Sequence, residues 1–349
     1  MKRVYLAIII LAALFISSCS NKVDLFYDSG NTTVVYAMLD TNADTNFFKI
    51  TKSFVGSANE LAQDYSANNY QYDEIDVKFI GKFGNNALED TIQLDTVSKW
   101  IPYDANATFY SGCYQTYYYT TAKLNEGETY KLRIRRKEDG VIVSAKATTI
   151  NTASFQKPNS PTISFTDYET TKAHVEWKVT DANYDYKSTA SYFEITGYFR
   201  YKECLSGSTD TTNHVIKWVL GSGKAENLYN SNTTPPYYVI SYTPASFYKI
   251  LGNNEHLKNN SPDGIKRWCN DFEFRVTAIG EELYNYYLVT NSTSAIQDIP
   301  NYTNVKNGMG IMSARGDISK VLPINILTIR NMISKFPQYG FVDPNDPNN

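Results

Sequence analysis

Histidine is nearly absent from this chain, at three in 349 residues, and cysteine numbers only four. His174, His214 and His256 are scattered, so no pair stands at the helical spacing of a zinc hydrolase and no arrangement fits a cysteine enzyme. No serine is framed by glycines as a nucleophile elbow, and no glycine-rich loop is built to cradle phosphate. A surplus of positive charge is missing too, with 33 Lys and Arg against 36 Asp and Glu, a formal net charge of −3. Nucleic-acid binding needs a basic patch that neutralises phosphates, so that partner class is set aside. Beyond Ser20 no run of 18 apolar residues occurs, and no second membrane-spanning segment is expected.

What is present starts with the leader. Lys2 and Arg3 precede an apolar run from Val4 to Phe15, and Ile16-Ser17-Ser18 lead into Cys19. The run is too short to span a bilayer and has the form of a secretory signal. An aliphatic residue and two small ones directly before a cysteine resemble a lipobox, in which the sulfur is acylated and the chain is cut before it. Residues 1–18 are therefore read as signal peptide and 19–31 as a lipidated tether. Two or three acyl chains on Cys19 would hold the protein to a membrane at about 0.8 kcal/mol per buried methylene. Loss of Lys2 and Arg3 would take the net charge from −3 to −5.

With Cys19 acylated, Cys113, Cys204 and Cys269 remain in a compartment that permits disulfides. Cys204 with Cys269 is the preferred bridge, both lying in the second half, and three free buried thiols are the alternative. About 330 residues remain after cleavage, enough for two domains that each bury a core. Aromatics make up 14% of the chain, with 29 tyrosines, so a folded protein is expected.

Strand signals recur along the chain. Thr32 to Leu39 and Phe47 to Val55 are β-branched and aromatic with a polar loop between them. Similar runs follow at Ile75 to Ile80, Tyr114 to Lys123, Thr129 to Arg135 and Val141 to Thr149, and Asp139-Gly140 suits a hairpin turn. Gln156 to Pro161, with two prolines and no large apolar residue, reads as a linker between a domain at 32–155 and another at 162–340. In the second, strands are expected at Lys172 to Val179, Tyr192 to Lys202, His214 to Leu220, Tyr237 to Tyr242 and Phe272 to Ile279. Helices are expected at Pro244 to Leu251, Glu281 to Leu288 and Ile324 to Phe336. The polar, proline-rich end at 341–349 is expected to be a disordered tail. The fold class is mainly β, two β-sandwiches in tandem, the second with a few short helices.

Tyr114, Tyr117, Tyr118 and Tyr119, with Trp268, form a candidate aromatic surface for glycan, since rings stack on the apolar faces of sugars. Tyrosine is also a favoured strand residue, and a two-residue period would turn half of these rings into the core. Trp100, Trp177 and Trp218 call for the same reading as core anchors. Two acidic loops, Asp40 to Asp44 and Asp181 to Asp185, begin like calcium loops but lack the sixth-position glycine and the twelfth-position glutamate. His174 and Glu176 share a strand face, yet two ligands are too few for zinc. Adjacent carboxylates, Asp73 with Glu74 and Glu281 with Glu282, do not make the spaced pair a glycosidase needs. No catalytic residue, metal or cofactor is assigned.

Val34 to Gly56, Tyr130 to Ile134 and above all Ser294 to Arg315 resemble the shared stretches of a family of Bacteroidota lipoproteins. The most specific part is Tyr302-Thr303-Asn304-Val305 followed by Gly308-Met309-Gly310-Ile311; family members commonly have phenylalanine where this chain has Met312. The resemblance implies an outer-membrane or cell-surface lipoprotein with immunoglobulin-like domains. Gly308 and Gly310 would allow a backbone geometry or close approach that other residues resist, so this segment is expected to fold back onto the second domain. The expected role is non-catalytic binding or assembly with other envelope proteins. The alternatives are a surface glycan- or nutrient-binding protein and an adhesin or pilus-type subunit.

Overall fold

A computed structural model describes residues 32–53, 71–72, 74–102, 112–179, 186–205, 207–259, 264–291 and 302–345. Cys19 and the leader lie outside these residues, as does the acidic loop from Asp181 to Asp185. The described chain is mainly β and forms several sheets.

The first half contributes β1 (Thr33–Leu39), β2 (Asn46–Lys52), β3 (Ile75–Gly81), β4 (Asp90–Gln93), β5 (Asp95–Pro102), β6 (Gly112–Thr120), β7 (Thr129–Arg136), β8 (Ile142–Thr148) and β9 (Ala153–Lys157). The second contributes β10 (Ala173–Val179), β11 (Tyr192–Cys204), β12 (Thr211–Lys224), β13 (Tyr229–Asn230), β14 (Tyr237–Tyr242), β15 (Lys266–Ile279) and β16 (Gly308–Pro323). Helices are α1 (Ala225–Leu228), α2 (Ser246–Asn253), α3 (Glu255–Asn259), α4 (Glu281–Asn291) and α5 (Ile326–Lys335). The alternation that predicts strands survives in the fold: β7 exposes and buries successive residues along its whole length. At the hairpin after it, Gly140 adopts φ +73° and Asp139 accepts the Val141 amide, as a tight turn requires.

One eight-stranded sheet, ordered β12-β11-β15-β16-β1-β2-β6-β5, runs through both halves of the sequence. Two four-stranded sheets, β4-β3-β7-β8 and β13-β14-β10-β9, pack on it. Phe48 of β2 meets Phe79 of β3 edge-on at 5.0 Å, and Trp177 of β10 meets Phe193 of β11 at 5.1 Å. Helix α2 closes the second layer, stacking Phe247 on Phe165 at 4.2 Å.

Strand β16 joins the halves. Its first part pairs in parallel with β1, from Thr33↔Gly308 to Leu39↔Ala314. Its second part pairs antiparallel with β15, from Ile279↔Arg315 to Asp271↔Pro323. Gly308 and Gly310 thus lie against the first half of the chain, where the sequence suggests the second; only from Arg315 onward does β16 pair with the second half. Gly310 adopts φ +99°, and a Cβ there would lie 2.1 Å from the Val35 carbonyl oxygen. Asn304 braces the approach, its side chain accepting from the Met312 amide and donating to the Met312 carbonyl.

Three sequence expectations are corrected. Gln156 and Lys157, read as linker, are the end of β9, held by pairing to β10; main-chain hydrogen bonds do not require the large apolar side chains whose lack suggests a linker. The tail read as disordered from residue 341 is ordered through Asn345: Phe341 is buried, Val342 donates to Arg267, and Asp343 pairs with Arg330. Cys204 and Cys269 are free thiols. Cys204 stands opposite Lys266 and Cys269 opposite Tyr201, three residues apart along the ladder, roughly 10 Å at 3.3 Å per residue. That separation is beyond a disulfide's reach.

Candidate functional site

The tyrosine run lies on β6, and strand alternation splits it. Tyr118 turns inward against the core, where burial pushes its phenol upward. Tyr117 and Tyr119 turn outward around Phe47 of β2, with centroid separations of 6.4 and 6.1 Å. Lys99 of β5 sits 3.9 Å over the Phe47 ring. Tyr114 pairs directly across from Trp100, ring to ring at 5.0 Å, and both are more than half exposed. Gln71 fixes this end of β6 by donating to the Tyr114 carbonyl and accepting from the Thr116 amide. Trp268 does not join these rings: it lies on β15, and β16, β1 and β2 stand between it and β6. Trp177 and Trp218 are core residues, as expected, whereas Trp100 is surface.

A second constellation was not legible in the sequence. Tyr201 and Glu203 alternate onto the buried face of β11, where register sets His214 of β12 opposite Tyr201 and Arg267 of β15 opposite Glu203. His256 comes from α3, which docks over the end of this sheet through buried Leu257. Glu203 Oε2 accepts from Arg267 Nε at 2.7 Å and from His256 Nε2 at 3.1 Å. His214 Nε2 lies 3.9 Å from Oε1 and 2.9 Å from the Thr212 hydroxyl. The two imidazoles stack at 4.4 Å, and His214 stacks in turn on Tyr201 at 5.2 Å.

Electrostatics hold this group in defined states. Burial pushes the Glu203 carboxyl upward, but hydrogen bonds and charge from Arg267 and His256 outweigh it and leave the group below the usual carboxylate range. Desolvation is the main cause holding His214 below its ordinary value, so its imidazole stays neutral at physiological pH. Arg267 is fully buried and spends a second donor on the Tyr339 carbonyl at 2.5 Å, which ties the C-terminal segment to the cluster. The arrangement presents two imidazole nitrogens and an ionised carboxylate, all within 4.8 Å of one another. His174, by contrast, bonds to Ser241 on the other layer, and Glu176 pairs with Lys157.

The signal that finds the cluster is register. Glu203 and His214 are eleven positions apart, which looks meaningless until β11 and β12 are folded as a hairpin; Glu203↔Thr212 pairing then places both on one face. His256 carries no such signal, because its position depends on how α3 packs.

The polar outer face of the same strands is also organised. Glu273 is buried between Arg200 and Arg275, pairing with both, while Arg200 also binds Asp271 at 2.9 Å and Arg275 lies 4.8 Å over the Tyr198 ring.

No family model matches the chain, and no curated protein matches it. A solved structure described as a cytokine receptor complex matches at 10% identity, with 83% of this chain and 95% of that one covered and a TM-score of 0.20. At that TM-score the match carries no argument about kinship or fold.

Proposed function

We propose that this chain is a lipid-anchored outer-membrane or cell-surface protein with a non-catalytic binding or assembly role, accessory to other envelope proteins. The lipobox-like Ile16-Ser17-Ser18-Cys19 supports the anchor. In this reading the sheets form two immunoglobulin-like sandwiches in tandem, and shared strand β16 takes the place of a flexible hinge.

The observation that carries the assembly role is the open edge of β12. Among the described residues no strand pairs with its outer side, although it is 14 residues long. Edge strands invite pairing and are usually short, charged or covered. Val215 and Val219 of β12 are half exposed, with Lys217 the one charge between them. A partner adding a strand there would gain main-chain hydrogen bonds and two apolar contacts. The outward rings of Phe47, Tyr117 and Tyr119 beside Lys99 favour a second reading, a surface glycan- or nutrient-binding protein.

The test is purification of the tagged, lipidated chain from native membranes in mild detergent, with mass spectrometry of what accompanies it. A stoichiometric envelope protein that is lost from the Val215→Lys/Val219→Lys variant supports assembly through this edge. Recovery alone, with Tyr117-dependent retention of the soluble form on a glycan array, replaces it with the second reading. Cys19→Ala should release the chain from the membrane fraction; if it stays bound, the lipid anchor is wrong.

A further inference from the structure

We propose that Glu203, His214 and His256 bind a divalent transition-metal ion of the zinc class. Three side chains from three elements, β11, β12 and α3, bring ligand atoms within 4.8 Å of one another. A tetrahedral ion with bonds of about 2.0–2.1 Å holds neighbouring ligands roughly 3.3 Å apart. The distances here, 3.1 Å from Glu203 Oε2 to His256 Nε2 and 3.9 Å from Oε1 to His214 Nε2, bracket that value. The two distances involve the two carboxylate oxygens in turn, and closing the site requires His256 to turn out of its stack on His214 so that both Nε2 atoms face the same ion.

The surroundings resemble the support that metal ligands receive. Arg267, fully buried, grips Glu203 Oε2 and orients the carboxylate so that Oε1 faces His214. Stacking of Tyr201 on His214 limits the rotation of that ring. The two imidazoles are 27% and 36% exposed, so an ion would be reached from solvent and would keep a coordination position for water. Two further adjustments accompany binding. The Thr212 hydroxyl turns away from His214 Nε2, and His256 carries its ring proton on Nδ1 once Nε2 becomes a ligand.

Arg267 also sets the metal class. Its charge offsets that of Glu203, leaving a site whose attraction comes from two imidazole nitrogen donors rather than from negative charge. Calcium and magnesium, which need several oxygen ligands, are excluded; zinc, cobalt, nickel and copper are suited to imidazole.

The test uses the full mature chain, stripped with chelator and titrated with Co²⁺ and Zn²⁺. One equivalent of Co²⁺ should give visible ligand-field bands that Zn²⁺ abolishes and excess Ca²⁺ or Mg²⁺ leaves in place. His214→Gln and His256→Gln should each weaken binding by roughly 10- to 100-fold or more, the loss that even supporting residues of a metal site produce. Both positions are partly exposed, and an unchanged circular dichroism spectrum shows that the fold is kept. His174→Gln, on the opposite layer, should bind as wild type. Absence of binding by the wild-type chain, or binding that survives both substitutions at the site, overturns the proposal. Neither result touches the membrane anchor or the β12 edge, which are read by fractionation and co-purification.

Discussion

Replacing Gly310 with alanine should be among the most damaging single changes in the molecule. Two independent effects add. At φ +99° any residue with a Cβ is strained, at about 1–3 kcal/mol. The new atom would also lie 2.1 Å from the Val35 carbonyl oxygen and 2.9 and 3.0 Å from the Val35 carbonyl carbon and amide nitrogen. These are backbone atoms, so no side chain can swing aside. Strand β1 must then draw away from β16, and with it the buried Val35, Ala37 and Leu39. The expected loss is about 3–5 kcal/mol, against a total stability of roughly 5–15 kcal/mol for an ordinary domain.

The measurement is equilibrium urea unfolding followed by tyrosine and tryptophan fluorescence, with Gly84→Ala as control. Gly84 also has a positive φ, +56°, but a Cβ there meets nothing within 4 Å. Conformational strain alone should cost the control about 1–2 kcal/mol. The difference between the two variants isolates the contact with β1. If Gly310→Ala loses no more than Gly84→Ala, then β16 does not lie against β1 in this register, and the joint between the two halves is misassigned.

Three further outcomes follow from individual contacts. Tyr130→Phe removes a hydroxyl that donates to the Lys82 carbonyl and accepts from the Asn125 amide; a loss of about 1–3 kcal/mol is expected in thermal or urea unfolding, and a neutral result would mean water replaces both bonds. Glu273 is pushed up by burial but held below its ordinary 4.5 by Arg200 and Arg275. Its contribution is therefore complete above that value and disappears as pH falls through the lower folded-state value, so Glu273→Gln should flatten the acid limb of stability against pH, and an unchanged slope would refute the role. Cys269, whose thiol is pushed up to about 12 by burial, should resist alkylation at neutral pH in the native protein, and both it and Cys204 should alkylate once unfolded without reductant. Failure to alkylate the unfolded chain would reveal a bridge.

Legibility in the sequence tracks how locally each feature is determined. Strands with one buried face announce themselves: Tyr130, Leu132 and Ile134 alternate with charged or polar neighbours, and the expected Thr129 to Arg135 differs from β7 by one residue. Expected and observed helices at α2, α4 and α5 overlap as well; at α5 the signal is a local cap, Asn325 accepting from the Leu327 amide, whereas α2 starts from Ala245 without a side-chain cap. Strands β4 and β5 carry no such signal, for the opposite reason. Asp90, Thr91 and Gln93 are exposed, as are most residues of β5, so there is no inward stripe to read; these strands exist because β3 and β6 offer them free edges. Phe341 shows the same dependence at the other end: with Val342 it opens an otherwise polar tail, and it becomes core where Arg267 makes main-chain hydrogen bonds to flanking Gly340 and Val342.

The histidine cluster lies at the far end of this scale. Its members are separated by eleven and by forty-two positions, and each taken alone has an ordinary explanation: a strand glutamate, a strand histidine, a histidine on a short helix. Only the register of β11 with β12 and β15, together with the docking of Leu257, brings three ligand atoms and a buried arginine together. Burying Arg267 and Glu203 is costly unless both are paired and hydrogen-bonded, and replacing the pair with apolar residues of similar volume is often neutral or stabilising. A charged pair kept at the end of a sheet beside two stacked imidazoles is therefore poorly explained by stability. It is better explained by what the carboxylate faces: Arg267 holds Glu203 Oε2 so that Oε1 faces His214, and removing Arg267 alone would cost that orientation together with about 3–5 kcal/mol of stability, because the carboxylate would be left buried without its guanidinium.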